Sequence, residues 1–308
     1  MINSMDIPRD FLKSFIVICK HKSFTLAAKE LVKSQSTLSI QVAQVEDQLR
    51  VKLLDRAERP LRLTDAGTAV LAFAKEMNNR SQELQRFLGE LARGDVGEVK
   101  IAASTSIGTY LFPRIASTIL LKSPQLALEV IIRGRVFVCE AVRRAEVNFG
   151  LILAERKPDD LAGHSLAQQP LCFVSSPKNF LARKRHISLE QLKHVSFVAG
   201  PKDSEFAIMV ERWLEGNGLY DYPVQFRISN YEGIKEAIRA NVGIGVLPKF
   251  TVDREVKDKI LTILDVTCLP LLVSLILIER PDSSFTPSVQ VVRNHIEMYL
   301  NEVDTESR

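Results

Sequence analysis

With 308 residues, the chain is long enough for two or three domains of about 100–150 residues each. Its 46% hydrophobic and 25% charged residues exclude a disordered chain and match a soluble globular protein. A net charge of +4 permits nucleic-acid binding without arguing for it, so any case for DNA rests on local pattern.

Three short helices are predicted before Leu49. From Asp10 to Lys20, Phe11, Leu12, Phe15, Ile16 and Cys19 recur at helical spacing. Thr25 is the expected cap of a second helix carrying Leu26, Ala27, Ala28 and Leu31, whose small alanines let another helix approach closely. Ser34 is the expected cap of a third, running to about Arg50. On it Leu38, Val42, Val45 and Leu49 share one buried face, leaving Gln35, Ser36, Ser39, Ile40 and Ala43 exposed. No acid precedes Glu46 on that face, so it can enter a major groove, where Gln reads adenine edges and methyl-bearing side chains meet thymine. Lys52, Arg56, Arg59 and Arg62 then crowd a short hairpin, or wing, able to neutralise phosphates beside the groove.

These blocks carry a resemblance. S-F-T-L-A-A-K-E-L-V-K-S-Q-S-T-L-S at 23–39, V-E-D-Q-L-R-V-K-L-L-D-R at 45–56 and R-L-T-D-A-G at 62–67 resemble, in order and spacing, the DNA-binding domain of LysR-type transcriptional regulators. The resemblance implies a winged helix-turn-helix on double-stranded promoter DNA. It assigns Gln35, Ser36 and Ser39 to bases and phosphates and Arg56 to the DNA backbone, with Arg59 nearby. The family commonly has arginine where this chain has Ile40, which with Ala43 can instead sit against thymine methyls.

One long helical pattern follows, from the Thr64 cap to about Arg93, with Asp65 complementing the positive end of its dipole. Val70, Leu71, Phe73, Ala74 and Met77, then Leu84, Phe87, Leu88 and Leu91, form an apolar stripe that Asn78–Gln82 thins. A helix of about 28 residues is about 42 Å long, too long to serve one compact domain, and is expected to pair with its copy in another subunit. Gly94, Asp95 and Gly97 mark the joint to the next domain.

Beyond it, strand and helix patterns alternate. V-K-I-A-A at 99–103 is a strand, followed by Ser104, Thr105 and Ser106 at the turn into a helix running to Leu121. L-E-V-I-I at 128–132, a helix from about Val136 to Arg144 and N-F-G-L-I-L-A at 148–154 complete a parallel β-α-β-α-β unit. A second lobe is expected from Gln169, with strands at 171–175, 195–199 and 224–228 and helices near Ser204–Glu215 and Tyr231–Ala240. G-I-G-V-L-P at 243–248 closes it. The apolar run Leu261–Ile278, broken by Asp265 and Pro270, reads as two buried strands that return the chain to the first lobe, where Val289–Leu300 is a final helix.

Two lobes with helix N-termini facing one cleft resemble the periplasmic-binding-protein-like effector domain of the LysR family. The resemblance then covers the whole chain. It implies an α/β fold divided as 1–64 (winged helix-turn-helix), 65–95 (linker and dimerisation helix) and 96–308 (effector domain). Lobe I is about 96–168 and 270–308, and lobe II about 169–269. By position the effector-binding candidates are Ser104, Thr105 and Ser106 in the first lobe and Lys202, Ser204, Ser229 and Asn230 in the second. For any single serine, helix capping without a ligand is the competing role. A small carboxylate or phosphate suits the dipoles, and Lys202 would add charge. Two departures from the family are Val136, where Ser or Thr is usual, and Pro201-Lys202-Asp203, where a Gly/Ser-rich loop is usual. The A-S-T-S-I-G-x-Y-L-x-P block is most similar to members that regulate carbon or sulfur assimilation.

No nucleophile elbow, phosphate loop, zinc-protease helix or dinucleotide fingerprint is present, and the acid pairs Glu46-Asp47 and Asp159-Asp160 read as solvated, so no enzyme is expected. Cys19, Cys139, Cys172 and Cys268 are scattered, which argues against a metal site or disulfide framework and for free thiols. No cofactor is expected beyond a small-molecule effector. Asp6, Arg9, Asp10 and Lys13 interrupt any leader, and no run is long enough for a membrane span, so a cytoplasmic protein is expected. A ligand-binding module without a DNA role is the alternative; it would leave residues 1–64 unused. The resemblance further implies a homodimer, or a tetramer of two dimers, that re-angles on effector binding and can recruit RNA polymerase.

Overall fold

The computed structural model describes residues 7–55, 61–93, 97–283 and 285–306. The chain divides into two compact units, the first within Met1–Ala92 and the second taking nearly all residues from Arg93 onward.

The first unit packs α1 (Arg9–His21), α2 (Phe24–Leu31) and α3 (Gln35–Leu49) around one core of Phe15, Ile18, Ala27, Ala28, Leu38, Val42 and Val45. The cap of α2 is Ser23, which accepts from the Leu26 N–H, and not Thr25 as the sequence suggested. Both residue types cap well, and the earlier one wins because Phe24 and Thr25 already hold helical geometry. Ser34 caps α3 as expected, accepting from the Thr37 N–H at 3.0 Å. After α3, β1 (Leu54–Asp55) and β2 (Arg62–Leu63) pair antiparallel and form the wing.

Glu46 is not solvated: it is 3% exposed, and its Oε1 accepts from the backbone N–H groups of Leu53 (2.9 Å) and Leu54 (3.3 Å). Burial raises its pKa, but those two amides and the Lys52 ammonium outweigh it and hold the carboxyl below its ordinary value. The pair Asp159-Asp160, by contrast, is exposed.

α4 (Asp65–Arg93) starts where Thr64 Oγ1 accepts from the Gly67 N–H at 3.0 Å and donates to the Lys52 carbonyl at 2.6 Å. Gly67 is required there, because a Cβ would stand 1.9 Å from the Leu53 carbonyl oxygen. Ala66, Val70 and Leu71 then pack on the three-helix core.

In the second unit, β3 (Glu98–Ser104), β4 (Ala127–Arg133) and β5 (Phe149–Ala154) are parallel, with β3 in the middle. A π-helical segment, Ile107–Leu111, leads into α5 (Phe112–Lys122), and α6 (Arg135–Arg143) links β4 to β5. β6 (Ala162–Ser175) is one long strand and starts earlier than the expected segment at 171–175.

The second lobe adds β7 (Ile187–Ser188), β8 (Phe197–Ala199), α7 (Glu205–Gly216), β9 (Val224–Arg227), α8 (Tyr231–Arg239), β10 (Gly245–Pro248), α9 (Asp253–Lys257), β11 (Thr262–Ile263) and β12 (Val266–Thr267). β13 (Leu272–Glu279) returns to the first lobe, closed by α10 (Pro287–Glu306). The apolar run from Leu261 therefore holds three strands rather than two, since β11 and β12 each pair with a different partner.

β6 pairs with β13 from Ala162 to Pro170 and with β10 from Leu171 to Val174. In the first lobe, one face of the sheet packs on α5 and α10 through Ile101, Ile115, Phe149, Leu275 and Val292, and the other on α6 through Ala102, Val138 and Ile276. Two further cores, around Phe197 and Leu214 and around Val198 and Ile238, hold the second lobe. Among the described residues, no helix is long and apolar enough to cross a membrane.

Candidate functional site

The exposed front of α3 begins at its cap. The Ser34 hydroxyl lies 2.7 Å from that of Ser36, and Thr25 Oγ1 donates to Gln35 Oε1 at 3.2 Å. The Thr25 bond fixes the Gln35 amide and leaves its NH2 pointing away, a donor pair on the first turn. Gln35 and Ser36 are exposed, Ser39 is half-buried, and Ile40 is 58% exposed beside exposed Ala43.

Behind this front, Asp10 on α1 accepts from Lys33 Nζ (2.6 Å) and Gln41 Nε2 (3.2 Å), tying the turn and α3 to the first helix. Lys33 is the first cause holding the Asp10 carboxyl below its usual range. In the turn itself Val32 adopts the left-handed conformation at φ 52° and is almost fully exposed. Sequence reasoning passed over that residue, whose β-branched side chain disfavours the geometry. Arg56 and Arg59 lie outside the described residues, whereas Arg62 stands on β2, opposite Asp55.

The second candidate is the space between the two lobes. Ser104 ends β3, paired in register with Arg133 at the end of β4. Strand alternation puts its side chain on the same face as Ala102, the face covered by α6, whose first residue is Arg135. Ser104 is only 8% exposed, and its Oγ has no hydrogen-bond partner. A buried hydroxyl without a protein partner is uncommon and is available to a water or to a bound group. Thr105 and Ser106 form the first helical turn beyond it.

The lobes meet through named pairs. Ser106, buried, bonds to the hydroxyl of Tyr231 at the start of α8. Tyr110, on the π-helical segment, donates to Glu232 Oε1 at 2.7 Å and packs edge-on against Tyr231 at 6.2 Å between ring centroids. Burial and the Glu232 carboxylate both push the Tyr110 phenol up. Lys235, 5% exposed, sits 4.5 Å over the Tyr110 ring, 2.9 Å from Glu232 and in contact with Glu255. On the other side of Tyr231, Phe206 packs at 5.9 Å, and its neighbour Glu205 takes both arms of the Arg135 guanidinium, Nη2 reaching Oε1 at 2.5 Å.

The second-lobe candidates behave differently from those in the first. Ser204 Oγ caps α7 by accepting from the Ala207 N–H, and Asn230 Oδ1 caps α8 by accepting from the Gly233 N–H. Lys202 and Ser229 are exposed. The first turns of both helices also carry acids, Glu205 and Glu232, so these N-termini are already satisfied. Any anion at either helix start would therefore sit beside an acid. Arg135, Glu205, Tyr110, Tyr231 and Glu232 were not singled out from sequence. Acids one or two residues after a cap read as ordinary helix starts, and nothing local announces that they face another lobe. Among the described residues no acid, histidine and cysteine cluster could hold a metal, and all four cysteines are free.

Residues 10–68 match the family model described as bacterial regulatory helix-turn-helix protein, lysR family, and residues 92–300 match the LysR substrate binding domain. The chain is 29% identical over 265 residues to the HTH-type transcriptional regulator CysL of Bacillus subtilis, covering 83% of this chain and 86% of that protein. It is 25% identical over 285 residues to the RuBisCO operon transcriptional regulator of Allochromatium vinosum, covering 92% and 94%. Its fold matches full-length CbnR, crystallised with its target DNA, at a TM-score of 0.71 and 19% identity, over 94% of this chain and 99% of that one.

Proposed function

The chain belongs to the LysR family of DNA-binding transcriptional regulators, and from that premise we propose how its residues divide the work. Residues 1–64 read promoter DNA, 65–95 pair two chains, and 96–308 bind a small effector between lobe I (about 96–168 and 270–308) and lobe II (about 169–269). The protein acts in the cytoplasm as a homodimer or a pair of dimers, with RNA polymerase as the downstream partner.

On DNA, Gln35 offers its fixed amide to a base edge, Ser36 and Ser39 offer hydroxyls, and Ile40 lies against a thymine methyl. Arg56 and Arg59 hold phosphates beside the groove. In the cleft, the orphaned Ser104 hydroxyl is the single observation that carries the effector reading. Thr105 and Ser106 follow it in the chain, Arg135 opens the helix that covers its face, and these are the donors for an anionic group. Lys202, Ser204, Ser229 and Asn230 serve as the opposite rim. Effector binding shifts the lobes only by its differential affinity for two arrangements, and the linked helix pair carries that shift to the DNA.

Ile40→Arg tests the DNA half. A cation on the front of α3 adds a phosphate or guanine contact. Fluorescence anisotropy on the protein's own promoter should show base preference moving away from thymine at one position. The slope of log affinity against log salt should steepen by about one. Unchanged preference and unchanged slope would remove Ile40, and with it the front of α3, from the interface.

A further inference from the structure

We propose that Arg135 and Glu205 read opposite ends of the effector, which is therefore a small dipolar molecule of the amino-acid type. Its carboxylate goes to Arg135 and its ammonium group to Glu205. This rests on the reading of the inter-lobe cleft as the effector site.

The geometry begins with the pair itself. Arg135 opens α6 in lobe I and Glu205 opens α7 in lobe II, and the guanidinium fork meets both carboxylate oxygens across the cleft. Both side chains remain partly exposed, so solvent and solutes reach them. Deeper in, on the same face of the sheet as α6, lies the unpartnered Ser104 hydroxyl. A molecule seated between the lobe-I donors and the start of α7 separates Arg135 from Glu205. The question is then which molecule restores what that separation removes.

A plain anion satisfies Arg135 but leaves the Glu205 carboxylate facing a second negative charge. Glu155, within electrostatic reach of Arg135, adds to that repulsion. A plain cation satisfies Glu205 and strands the guanidinium. Either outcome leaves one member of the pair without its partner, and a plain anion also meets like-charge repulsion from the Glu205 carboxylate. A ligand carrying both charges replaces the internal pair at each end, with the Ser104 hydroxyl free to donate to its carboxylate. Of the two acids that open α7 and α8, Glu232 is already neutralised by Lys235, so Glu205 is the one that faces Arg135 and makes this part of the cleft electrically two-sided. Discrimination then arises from the repulsion felt by singly charged competitors.

The test uses thermal unfolding of the full-length protein with each of the common L-amino acids, sulfate, phosphate and simple carboxylates at millimolar concentration. Each amino acid that binds is re-tested as its matched amine and its matched deaminated acid. At least one amino acid should raise the midpoint by on the order of 3 °C, as for a ligand at about ten times its Kd, while its matched acid and amine do not. Arg135→Gln should abolish the shift. Glu205→Gln should let the deaminated acid bind about as well as the amino acid. Glu205→Gln is isosteric and Arg135→Gln is a shorter, neutral polar replacement; the unliganded midpoints and promoter affinity of both report on folding. If a plain anion stabilises the wild type as well as any amino acid, or if no amino acid does, the charge assignment is overturned. If an amino acid binds but neither Arg135→Gln nor Ser104→Ala weakens it, the ligand sits elsewhere and the cleft reading itself falls.

Discussion

Glu46 shows how one side chain can organise a wing. Its carboxylate takes the two backbone N–H groups that open β1, and Lys52 covers the other oxygen at 3.2 Å. Because its folded pKa lies below the ordinary value, its contribution is fully present above about pH 4.3 and is lost as pH falls through the folded value. Glu46→Gln keeps the shape and removes the charge. It should cost about 1–2 kcal/mol at neutral pH. It should also flatten the acid limb of the stability curve, followed by circular dichroism of the N-terminal domain in urea between pH 3 and 7. An acid limb as steep as the wild type's would assign that limb to other groups. The periodicity of α3 located Glu46 on the helix but could not show its burial, since the amides it serves come from seven and eight residues downstream. The Ser34 cap and the exposed Ile40 were legible because both depend on neighbours within one or two turns.

At the scale of elements, α4 presents Phe73, Met77, Leu84 and Leu88 to solvent, all more than two-fifths exposed. Their spacing of four, seven and four residues keeps all of them on one face of the helix, as a pairing surface requires. The side chain of Leu91, expected to extend this stripe, lies outside the described ones, as do Gly94 and Asp95. If this face pairs two chains, Leu84→Lys with Leu88→Lys buries four charges in the dimer. Sedimentation equilibrium should then show the dissociation constant rising by about four orders of magnitude, with the three-helix core still folded by circular dichroism. An unchanged constant would move the interface off α4.

The long helix was readable because its stripe, its Thr64 cap and its freedom from proline are local. The first half of β6 was not. A-G-H-S-L-A-Q-Q-P has no alternation, and its strand geometry is imposed by eight residues of β13 more than a hundred positions away. The π-helical segment likewise has no pattern of its own in the sequence, yet it supplies Tyr110 to the lobe contact.

At the scale of the whole effector unit, the lobe junction combines a contact that crosses it, through Tyr110, with an ion-pair cluster inside lobe II that backs it, around Lys235. Tyr110 contributes one hydrogen bond and a ring face, whereas Lys235 neutralises Glu232 and Glu255 and also donates to the Thr251 carbonyl at 3.2 Å. Lys235→Met strands those carboxylates and should cost about 3–5 kcal/mol in urea denaturation, against about 1 kcal/mol for Tyr110→Phe. Equal costs would mean that the buried ammonium is not what holds the lobe-II side of this junction. The Tyr110 contacts were not visible along the chain, because they join residues brought together only once both lobes have folded, whereas the Lys235–Glu232 pair is an ordinary i,i+3 pair on α8. What was visible was where strands end and helices begin, and that marked Ser104 to Ser106 correctly as lobe-edge residues.

β6 gives this architecture a mechanical character. Pro170, the point where its partner changes from β13 to β10, lies within a single unbroken strand rather than in a loop. A loop hinge would let one lobe swing while the other stayed still. A shared strand behaves as a torsion bar: turning lobe II twists the backbone on which lobe I's outermost pairings depend. Large-amplitude opening is thereby discouraged. Small rotations are passed on with little slack, as a protein needs if it must turn the seating of one small molecule into a displacement felt at a distance.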